Sequence, residues 1–540
     1  MELRMDAPVL IVGGGPVGLA TALDLGRRGT KSIVIERDEG TGVELLAKAG
    51  TLNERTMEIC RFWEIAKDVA TCGFPDDVNL DTIYCTSLDG LFIGSDPRPS
   101  TMDRVPPEGA LEMLRKCPQF QFDPILAKAA KGTGNVDLLY GHQLERLEQD
   151  DAGVTAIVTE VAKGTQKALR GRYLVGCDGA GSGVRRSLGI DFPGKMLSYS
   201  VSAMLRADLA DTKFGIRNRY MFIDQAGTWA NLTSVDGKQL WRFTLVGNEE
   251  KLDPAVHDIA QDVYRAFGAE IHFEILRVLP WRRSQCTAEH YRAGNVFLAG
   301  DAAHTTSPTG GHGLNTGIGD ALALGWMLHA VLNHQGGAGL LSAYELERRP
   351  VAIRNSSLST VNFNSWIAAT DFSDVESPGA KGDEARARIG REMSAALKPE
   401  WTSVGVALGY RYEGSPLIVP DGTPEPPDTS EVYSQTARPG HRAPHAWLPD
   451  GRSTIDLFGC DYVLLRFDPK VDGEPIFAAA RRQGVPLRLV DIADPAIAKL
   501  YERALVLVRP DAHVCWRDDI APDGEAANRL MATVTGFVEG

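Results

Sequence analysis

Near its N-terminus the chain has two short apolar runs, with a segment of helical hydrophobic period between them. Residues 8–12 read as an apolar strand, residues 17–27 as a helix with small and apolar side chains, and residues 31–35 as a second strand. This strand-helix-strand order spans about 30 residues, the length of one dinucleotide-binding unit. The pattern therefore predicts a parallel, Rossmann-like sheet near the N-terminus.

The pattern changes between residues 196 and 246. Stretches such as 220–223 and 240–243 are rich in aromatic residues, and apolar and polar positions alternate. An antiparallel sheet explains this alternation better than further strand-helix-strand units. Residues 295–299 then resemble a parallel strand again, and residues 315–332 have the period of a helix.

Towards the C-terminus the pattern becomes weaker. Residues 371–390 are charged and poor in large apolar side chains, so we expect a surface loop or mobile segment there. Proline-rich residues 419–427 indicate a linker before strand signals at 461–467, 487–490 and 504–509. We therefore divide the chain into four segments. They are an α/β domain's first part (1–190), an antiparallel sheet (191–280), the α/β domain's second part with a helical segment (281–400), and a small α/β domain (401–540).

Composition narrows the possible partners. The net charge of -14 over 540 residues argues against a nucleic-acid or anionic-membrane partner. The eight cysteines lie far apart, with neither a C-x-x-C pair nor zinc-like spacing, so we expect reduced thiols and no metal. The N-terminus lacks the order of a signal peptide, and no apolar run reaches the roughly 18 residues of a membrane span. We expect a cytoplasmic protein.

The first strand leads into a glycine motif. Gly13, Gly15 and Gly18, with Pro16 between them, fit the pattern G-x-G-x-x-G at a strand-to-helix turn. The glycines allow a tight turn, close approach of the backbone to a pyrophosphate, and close helix packing. A carboxylate at Glu36 would accept a hydrogen bond from an adenosine ribose and repel a 2′-phosphate. The motif predicts FAD or NAD and leaves that choice open.

A second turn joins an acidic residue to a short helix. Asp178 and Gly179 are followed by Ser182 and Arg185. One interpretation is a capped helix, with Ser182 as its cap and Arg185 on its surface. The other is a wall between a flavin and a nicotinamide groove.

The third motif is a Gly300-Asp301 turn before a glycine-rich helix start. Asp301 can accept hydrogen bonds from ribityl hydroxyls, and the amides of residues 311–315 can stabilise negative charge on a reduced flavin. Read alone, the segment also fits a helix cap with a proline turn. Because it lies about 300 residues beyond the first motif, a ligand that both contact must be long. FAD meets that requirement.

The three motifs together resemble those of the single-component (class A) flavoprotein aromatic hydroxylases. The third reads G-D-A-A-H-x-x-x-P-x-G-G-x-G-x-N over residues 300–315. Segments 409–416, 439–445 and 507–511 are similar to the family's phenol-hydroxylase-like branch. The resemblance implies an α/β fold: a Rossmann-like FAD-binding domain, an antiparallel-sheet substrate domain and a C-terminal thioredoxin-like α/β domain.

The resemblance also implies a set of cofactor-binding residues, divided by the part of FAD that they serve. The ADP half would be held by Gly13, Gly15, Pro16, Gly18, Glu36, Arg37, Lys48, Gln119 and the backbone near Leu144. The ribityl chain and the isoalloxazine ring would contact Gly300, Asp301, Pro308, Gly311, His312, Gly313, Leu314 and Asn315. Asp178 and Arg185 would serve FAD and access of NADPH together.

The implied reaction is hydroxylation of an aromatic, by preference phenolic, substrate with NADPH (or NADH) and O2, through a flavin C4a-hydroperoxide. Candidate catalytic residues are Pro308, His312 and Tyr220, the last as a contact for the phenol. An apolar substrate pocket would draw on alternating side chains of the sheet, of which about half face elsewhere. The candidates are Met204, Tyr220, Phe222, Trp229, Asn231, Trp241 and Phe243.

Alternatives stay open at this stage. A Baeyer-Villiger or epoxidising monooxygenase acting on a polyketide-like substrate would use the same flavin chemistry, and a non-catalytic FAD-binding protein belongs to a different class. A flavin halogenase is disfavoured, because the W-x-W-x-I-P segment is missing. The C-terminal domain lacks a C-x-x-C pair, so we assign it a structural role or an interface, which a homo-oligomer would use.

Overall fold

The computed structural model describes residues 5–41, 48–248, 250–253, 256–368 and 370–538. The first strands are β1 Val9–Val12, β2 Ser32–Ile35, β3 Thr51–Leu52, β4 Thr82–Cys85, β5 Phe92–Asp96, β6 Arg115–Lys116, β7 Val136–Leu139, β8 His142–Asp150, β9 Gly153–Glu160, β10 Thr165–Gly171 and β11 Tyr173–Gly176. The later strands are β12 Gly194–Ala207, β13 Arg219–Asp224, β14 Gly227–Ser234, β15 Leu240–Asn248, β16 Phe273–Thr287, β17 Arg292–Ala293, β18 Val296–Leu298, β19 His304–Thr305, β20 Tyr462–Arg466, β21 Leu487–Asp491, β22 Leu505–Val508 and β23 Val514–Asp518. The helices are α1 Pro16–Arg27, α2 Glu54–Phe62, α3 Ala66–Ala70, α4 Gln119–Gly132, α5 Gly183–Ser187, α6 Ile259–Phe267, α7 His312–Leu332, α8 Ala338–Ala368, α9 Gly379–Trp401, α10 Val404–Leu408, α11 Glu474–Arg482, α12 Pro495–Tyr501 and α13 Gly524–Val534.

A mostly parallel sheet forms the first layer, as predicted. Its strand order is β17-β18-β11-β1-β2-β7, and only β17 runs antiparallel to its neighbour. Every residue of β1 is buried, because α1, α4 and α7 cover the sheet. The predicted Rossmann-like α/β domain is confirmed, and it is assembled from two distant parts of the chain.

The predicted antiparallel sheet forms the second layer, with one parallel pair, β13 and β4. Its order is β19-β16-β12-β15-β14-β13-β4-β5, so it also takes in strands before residue 191 and after residue 280. One face packs against α6 and the other faces the parallel-sheet domain and α9. Both faces of this sheet are therefore used, one for stability and one towards the interior of the protein.

The expected loop or mobile segment at residues 371–390 is wrong from Gly379 onwards, because α9 begins there. Its buried side chains Ile389, Met393 and Leu397 recur every four residues and pack beside Ile93 of β5. A single apolar stripe on a charged helix suffices when it covers the edge of a sheet. The low content of large apolar residues had concealed this stripe.

The C-terminal domain has the predicted thioredoxin-like outline. Its elements follow the order β20-α11-β21-α12-β22-β23-α13, and the sheet order is β21-β20-β22-β23. The first two strands are parallel, whereas β22 is antiparallel to both of its neighbours. All eight cysteines of the chain are free thiols.

Neither a membrane-spanning helix nor a metal-binding cluster of side chains is found among the described residues. In the ranges given above, no helix combines the length and apolar character needed to cross a membrane. The same ranges contain no group of three or more His, Cys, Asp or Glu side chains that could hold a metal ion.

Buried ion pairs join the C-terminal domain to the rest of the protein. Glu58 of α2 accepts hydrogen bonds from Arg442, at 2.9 Å from its Nε, and from Arg55 at 3.1 Å. Both Glu58 and Arg442 have side chains that are 1% exposed. A second buried ion pair joins Arg509 to Glu347 of α8, with 2.6 Å between Nη1 and Oε1. Charges this deeply buried are tolerated only while each has its partner.

We therefore expect Glu58→Gln to lower the free energy of unfolding by about 3 kcal/mol, because two buried guanidinium groups lose their shared negative charge. Urea unfolding followed by tryptophan fluorescence would measure the change. Glu64→Gln is the matched control, since the Glu64 carboxylate pairs with Arg27 but its side chain is 78% exposed. Equal unfolding midpoints for the two variants would contradict the assigned role of Glu58.

Candidate active site

A cavity of about 1260 Å³ runs from the carboxyl ends of the parallel strands to the antiparallel sheet. It exceeds the roughly 300 to 1,000 Å³ of a pocket for one small ligand. Most of the predicted cofactor residues line it: Gly13, Gly15, Pro16, Glu36, Arg37, Lys48, Gln119, Leu144, Asp178, Asp301, Pro308, Gly311, His312, Gly313, Leu314 and Asn315. Four predicted site residues lie elsewhere: Gly18, Arg185, Gly300 and Tyr220.

The first glycine motif makes a turn that only glycine fits. Gly13 has a φ of +106°, and a Cβ placed on it would lie 2.4 Å from the carbonyl oxygen of Cys177. A Cβ on Gly18 would lie 1.9 Å from the oxygen of Gly13, so Gly18 packs beneath the turn and outside the cavity. The turn leaves the start of α1 open towards the cavity, where its amides can bind a pyrophosphate.

Glu36, at the end of β2, is held with its carboxylate beside the glycine turn. One oxygen accepts from the amide of Gly14 at 2.5 Å and the other from the amide of Asp38 at 2.9 Å. These two bonds fix the carboxylate where a ribose hydroxyl can reach it. Arg37 is exposed and lies 3.6 Å from the Asp38 carboxylate.

Asp178 and Arg185 have different roles in the same loop. Ser182 caps α5, as predicted, by accepting from the amide of Arg185 at 2.9 Å, and Asp178 accepts from the amide of Val184 at 3.1 Å. Arg185 is neither on the surface nor in the cavity. Its guanidinium donates to the carbonyl of Ala302 at 2.7 Å, so it fastens this loop to the Gly-Asp turn.

A buried carboxylate holds the Gly300-Asp301 turn. Asp320 of α7 accepts from the amide of Gly300 at 3.1 Å, from Nε2 of His304 at 2.8 Å and from Nε of Arg348 at 2.9 Å. Although burial opposes its ionisation, His304 and Arg348 lower the pKa of Asp320. Gly300 lies beneath the surface in this network, and Asp301 beside it projects into the cavity.

Helix α7 begins at the cavity wall. Its N-cap, Gly311, has a φ of +70°, and the first amides of the helix point out of its N-terminus. Asn315 is already bonded on both sides of its amide. Its oxygen accepts from the amide of Asn53 at 2.9 Å, and its nitrogen donates to the carbonyl of Thr51 at 3.0 Å. Asn315 therefore aligns α7 with β3 and shapes the cavity wall.

His312 is a buried neutral side chain at the start of α7. It is 4% exposed, and its Nε2 has no hydrogen-bond partner among the described residues. Burial, with a smaller effect of Arg354, lowers the pKa of His312 to about 4. The imidazole is thus uncharged at neutral pH and free to exchange a hydrogen bond with a ligand.

The structure does not bring Tyr220 to the cavity. Its ring is fully buried 5.9 Å from that of Trp241, in the core beneath α6, and its hydroxyl donates to the carbonyl of Gly215. The same core takes in most of the predicted apolar lining, namely Phe222, Trp229, Trp241 and Phe243. Tyr220 is therefore no contact for a phenol in the cavity described here.

The opposite face of the sheet carries cations. Residues directly opposite each other on neighbouring strands share a face, and one such row joins Arg219, Thr233, Arg242, Met204 and Arg277. All but Met204 line the cavity. Met204 shares that face but is buried there. The predicted apolar wall is thus polar and positively charged.

Sequence reasoning missed several residues that line this end of the cavity. They are Arg98, Lys116, Arg219, Arg242, Arg277, Glu400 and Trp401. The alternation of side chains along the strands was a signal for Arg219 and Arg242. Each lies next to an aromatic residue that is buried on the other face of the sheet. Arg98, Lys116 and Glu400 come from distant segments and carry no such signal.

The cavity fits FAD on three observations of the chain itself. The glycine turn at Gly13 has no room for a side chain, which suits close approach of a pyrophosphate. Oδ1 of Asp123 and Nε2 of His312 are buried without partners among the described residues, although both side chains line the cavity. Buried polar atoms normally have partners, so both indicate a missing ligand. The free amides of α7 complete a site for an anionic ring.

Comparison with protein families agrees with this geometry. Residues 6–359 match the FAD binding domain, and residues 436–537 match the C-terminal domain of aromatic-ring hydroxylases. The chain belongs to the FAD-dependent aromatic-ring hydroxylases and is a monooxygenase with FAD as its cofactor. The predicted family, enzyme class and cofactor are confirmed.

Individual relatives match nearly the whole chain. Tetracenomycin A2 monooxygenase-dioxygenase of Streptomyces glaucescens is 32% identical, over 99% of this chain and 98% of that protein. The structure of RebC with bound 7-carboxy-K252c has a TM-score of 0.91 at 36% identity, over 99% of this chain and 100% of RebC. The structure of aklavinone-11 hydroxylase with FAD and aklavinone has a TM-score of 0.82 at 28% identity. The match covers 99% of this chain and 100% of that hydroxylase.

Glu36→Ala should weaken FAD binding by about tenfold or more, because a charged hydrogen-bond acceptor is lost. We expect a lower ratio of flavin to protein absorbance after gel filtration, with little change in the rate of NADPH oxidation per bound flavin. Glu39→Ala, on an exposed position of the same segment, is the control. Full flavin retention in Glu36→Ala would contradict the predicted role in ribose binding.

Proposed function

We propose that the protein adds one oxygen atom from O2 to an aromatic ring of a substrate larger than a single phenol, with NADPH or NADH as reductant. The cavity carries this proposal, because it runs without interruption from the glycine turn, where FAD would lie, to the antiparallel sheet, and so leaves one end for a substrate beside the flavin. Two relatives support the larger size class, since their names give tetracenomycin A2 and aklavinone as substrates, whereas the name of a third, 4-methyl-5-nitrocatechol 5-monooxygenase, gives a single-ring phenol.

Bound FAD would accept electrons from the nicotinamide and activate O2. Groups of the protein would orient the cofactor, stabilise its charge and exclude water. The amides of residues 312–315 would stabilise negative charge at the ring, and Asp301 would orient the ribityl chain. The Pro308 loop, tied by Ser307 and Thr309 to Arg283 at 2.8 and 3.2 Å, would form a rigid wall that keeps water out.

Two roles in this proposal are assigned to single side chains. Neutral His312 would exchange a hydrogen bond with the ring or the substrate through its free Nε2. Asp178 would border the entry of the nicotinamide, with Arg185 as a positioning residue behind it. The domain boundaries, a cytoplasmic location and a homo-oligomer stay predictions.

Mass spectrometry of products formed with NADPH and labelled O2 tests the function directly. The panel would run from simple phenols to fused-ring quinones, and we expect one labelled oxygen on the ring of a fused-ring compound. A labelled ester or lactone would identify a Baeyer-Villiger enzyme instead, and a labelled epoxide an epoxidising one. NADPH consumption with hydrogen peroxide as the sole product across the panel would contradict hydroxylation of these compounds.

The environment of His312 predicts a pH profile. Because burial lowers its pKa to about 4, the imidazole gains a proton only below that pH and stays neutral from pH 6 to 8. We expect the rate of flavin reduction to show no step from His312 in that range, and His312→Gln to leave the shape of the profile unchanged. A step near pH 6.5 that disappears in His312→Gln would contradict the neutral assignment.

A further inference from the structure

Three cationic side chains line the end of the cavity nearest to the antiparallel sheet. They are Arg98, Lys116 and Arg219, which we call the cation cluster. Arg98 follows β5, Lys116 ends β6 and Arg219 begins β13. Three segments that are distant in the sequence thus bring positive charge to one wall of one cavity.

The members of the cluster are close neighbours. The indole of Trp401 lies between two of them, with its ring centroid 4.1 Å from Cζ of Arg98 and 4.6 Å from Cζ of Arg219. Burial, followed by the charges of Arg219 and Arg98, lowers the pKa of Lys116 to about 7. A cation over a ring face is held in place without losing its charge. The two arginines beside the Trp401 ring therefore keep their charge, and a bound anion would favour the protonated form of Lys116.

Neighbouring carboxylates do not balance this charge. Glu400 contacts Arg219 at 2.8 Å and also accepts from Nε1 of Trp366 at 2.8 Å, so it neutralises one arginine. Glu54 also lines the cavity, but burial raises its pKa and favours its neutral form. Among the described residues, no carboxylate pairs with the other two cations, and Nε of Arg98 is buried without a hydrogen-bond partner.

The Asp96 carboxylate is close enough to Arg98 to act on its charge, but its oxygens bind other side chains. Its carboxylate accepts from the hydroxyls of Tyr84 and Ser394 and from Nε1 of Trp401 at 3.3 Å. It lines a separate outer groove between β5 and α9, which Arg98 and Trp401 also line. Inside the cavity, the charge of the cluster is left for a ligand.

Cations that line a cavity without balancing carboxylates attract an anion, and planar carboxylates suit the fork of arginine. We propose that the substrate is an aromatic acid whose carboxylate binds Arg98, Lys116 and Arg219. This rests on the proposed function, which places an aromatic ring in the cavity. Glu400, bound to Arg219, also accepts from the amide of Gly310 at 3.4 Å. A carboxylate at the cluster would therefore place its ring beside the loop that faces the flavin.

The test measures binding to the FAD-loaded enzyme without turnover. Two matched pairs serve as probes: 1-hydroxy-2-naphthoate with 1-hydroxy-2-naphthamide, and 4-hydroxybenzoate with 4-hydroxybenzamide. Changes in the flavin absorbance spectrum on titration give Kd for each. We expect the acid of at least one pair to bind about tenfold more tightly than its amide, as one charged contact implies.

Variants of the cluster then locate the contact. Arg98→Gln and Lys116→Gln should each weaken binding of the acid by about tenfold and change binding of the amide by less than twofold. Lys116→Arg, which keeps the charge, should restore the preference. Arg391→Gln removes an exposed charge of α9 in the outer groove and should change neither Kd. Flavin content and the unfolding midpoint show which variants are folded.

Three outcomes overturn the carboxylate proposal. An acid that perturbs the flavin no more than its amide in both pairs excludes carboxylate recognition. A preference that survives both substitutions places the contact elsewhere. Weaker NADPH binding in the variants with unchanged acid binding would assign the cluster to a nucleotide phosphate. Acid binding without ring oxygenation would leave the carboxylate site intact and contradict the hydroxylase proposal alone, so the two failures are distinguishable.

Discussion

The active site depends on one buried carboxylate, that of Asp320. It accepts hydrogen bonds from the Gly300 amide, from His304 and from Arg348, so it joins the end of a parallel strand to α7 and α8. A charge in this environment is tolerable only while all its partners stay in place. The rotation of α7 is therefore fixed relative to the Gly-Asp turn, and with it the direction of the amides that face the flavin.

The antiparallel sheet divides its two faces between stability and recognition. Tyr220 and Trp241 pack under α6, whereas Arg219 and Arg242, one position away on the same strands, face the cavity. Because side chains alternate along a strand, neighbouring residues of one strand belong to different faces. The same strands thus supply the apolar core that keeps the sheet rigid and the charges that select a ligand.

The parallel sheet and the first glycine motif could be predicted because local geometry dictates their residues, whereas the thioredoxin-like outline of the C-terminal domain was implied by the resemblance to a known family. Gly13 tolerates no side chain, and the Gly300-Asp301 turn needs a fixed distance to the start of α7. Alternation predicted the antiparallel sheet but could not show which face a helix covers, so Tyr220 was placed on the wrong side. The cation cluster escaped prediction because its members meet only in three dimensions, and α9 because its apolar stripe is narrow.

The division of the FAD-binding domain along the chain has a consequence for its synthesis. β11 pairs with β18, yet their facing residues, such as Leu174 and Val296, are separated in the sequence by strands β12 to β16 of the antiparallel sheet. At 5 to 20 residues per second, the ribosome needs roughly 6 to 24 s to pass from one to the other. During that interval the edge of β11 is unpaired, so the parallel sheet is completed only after the second domain has been made.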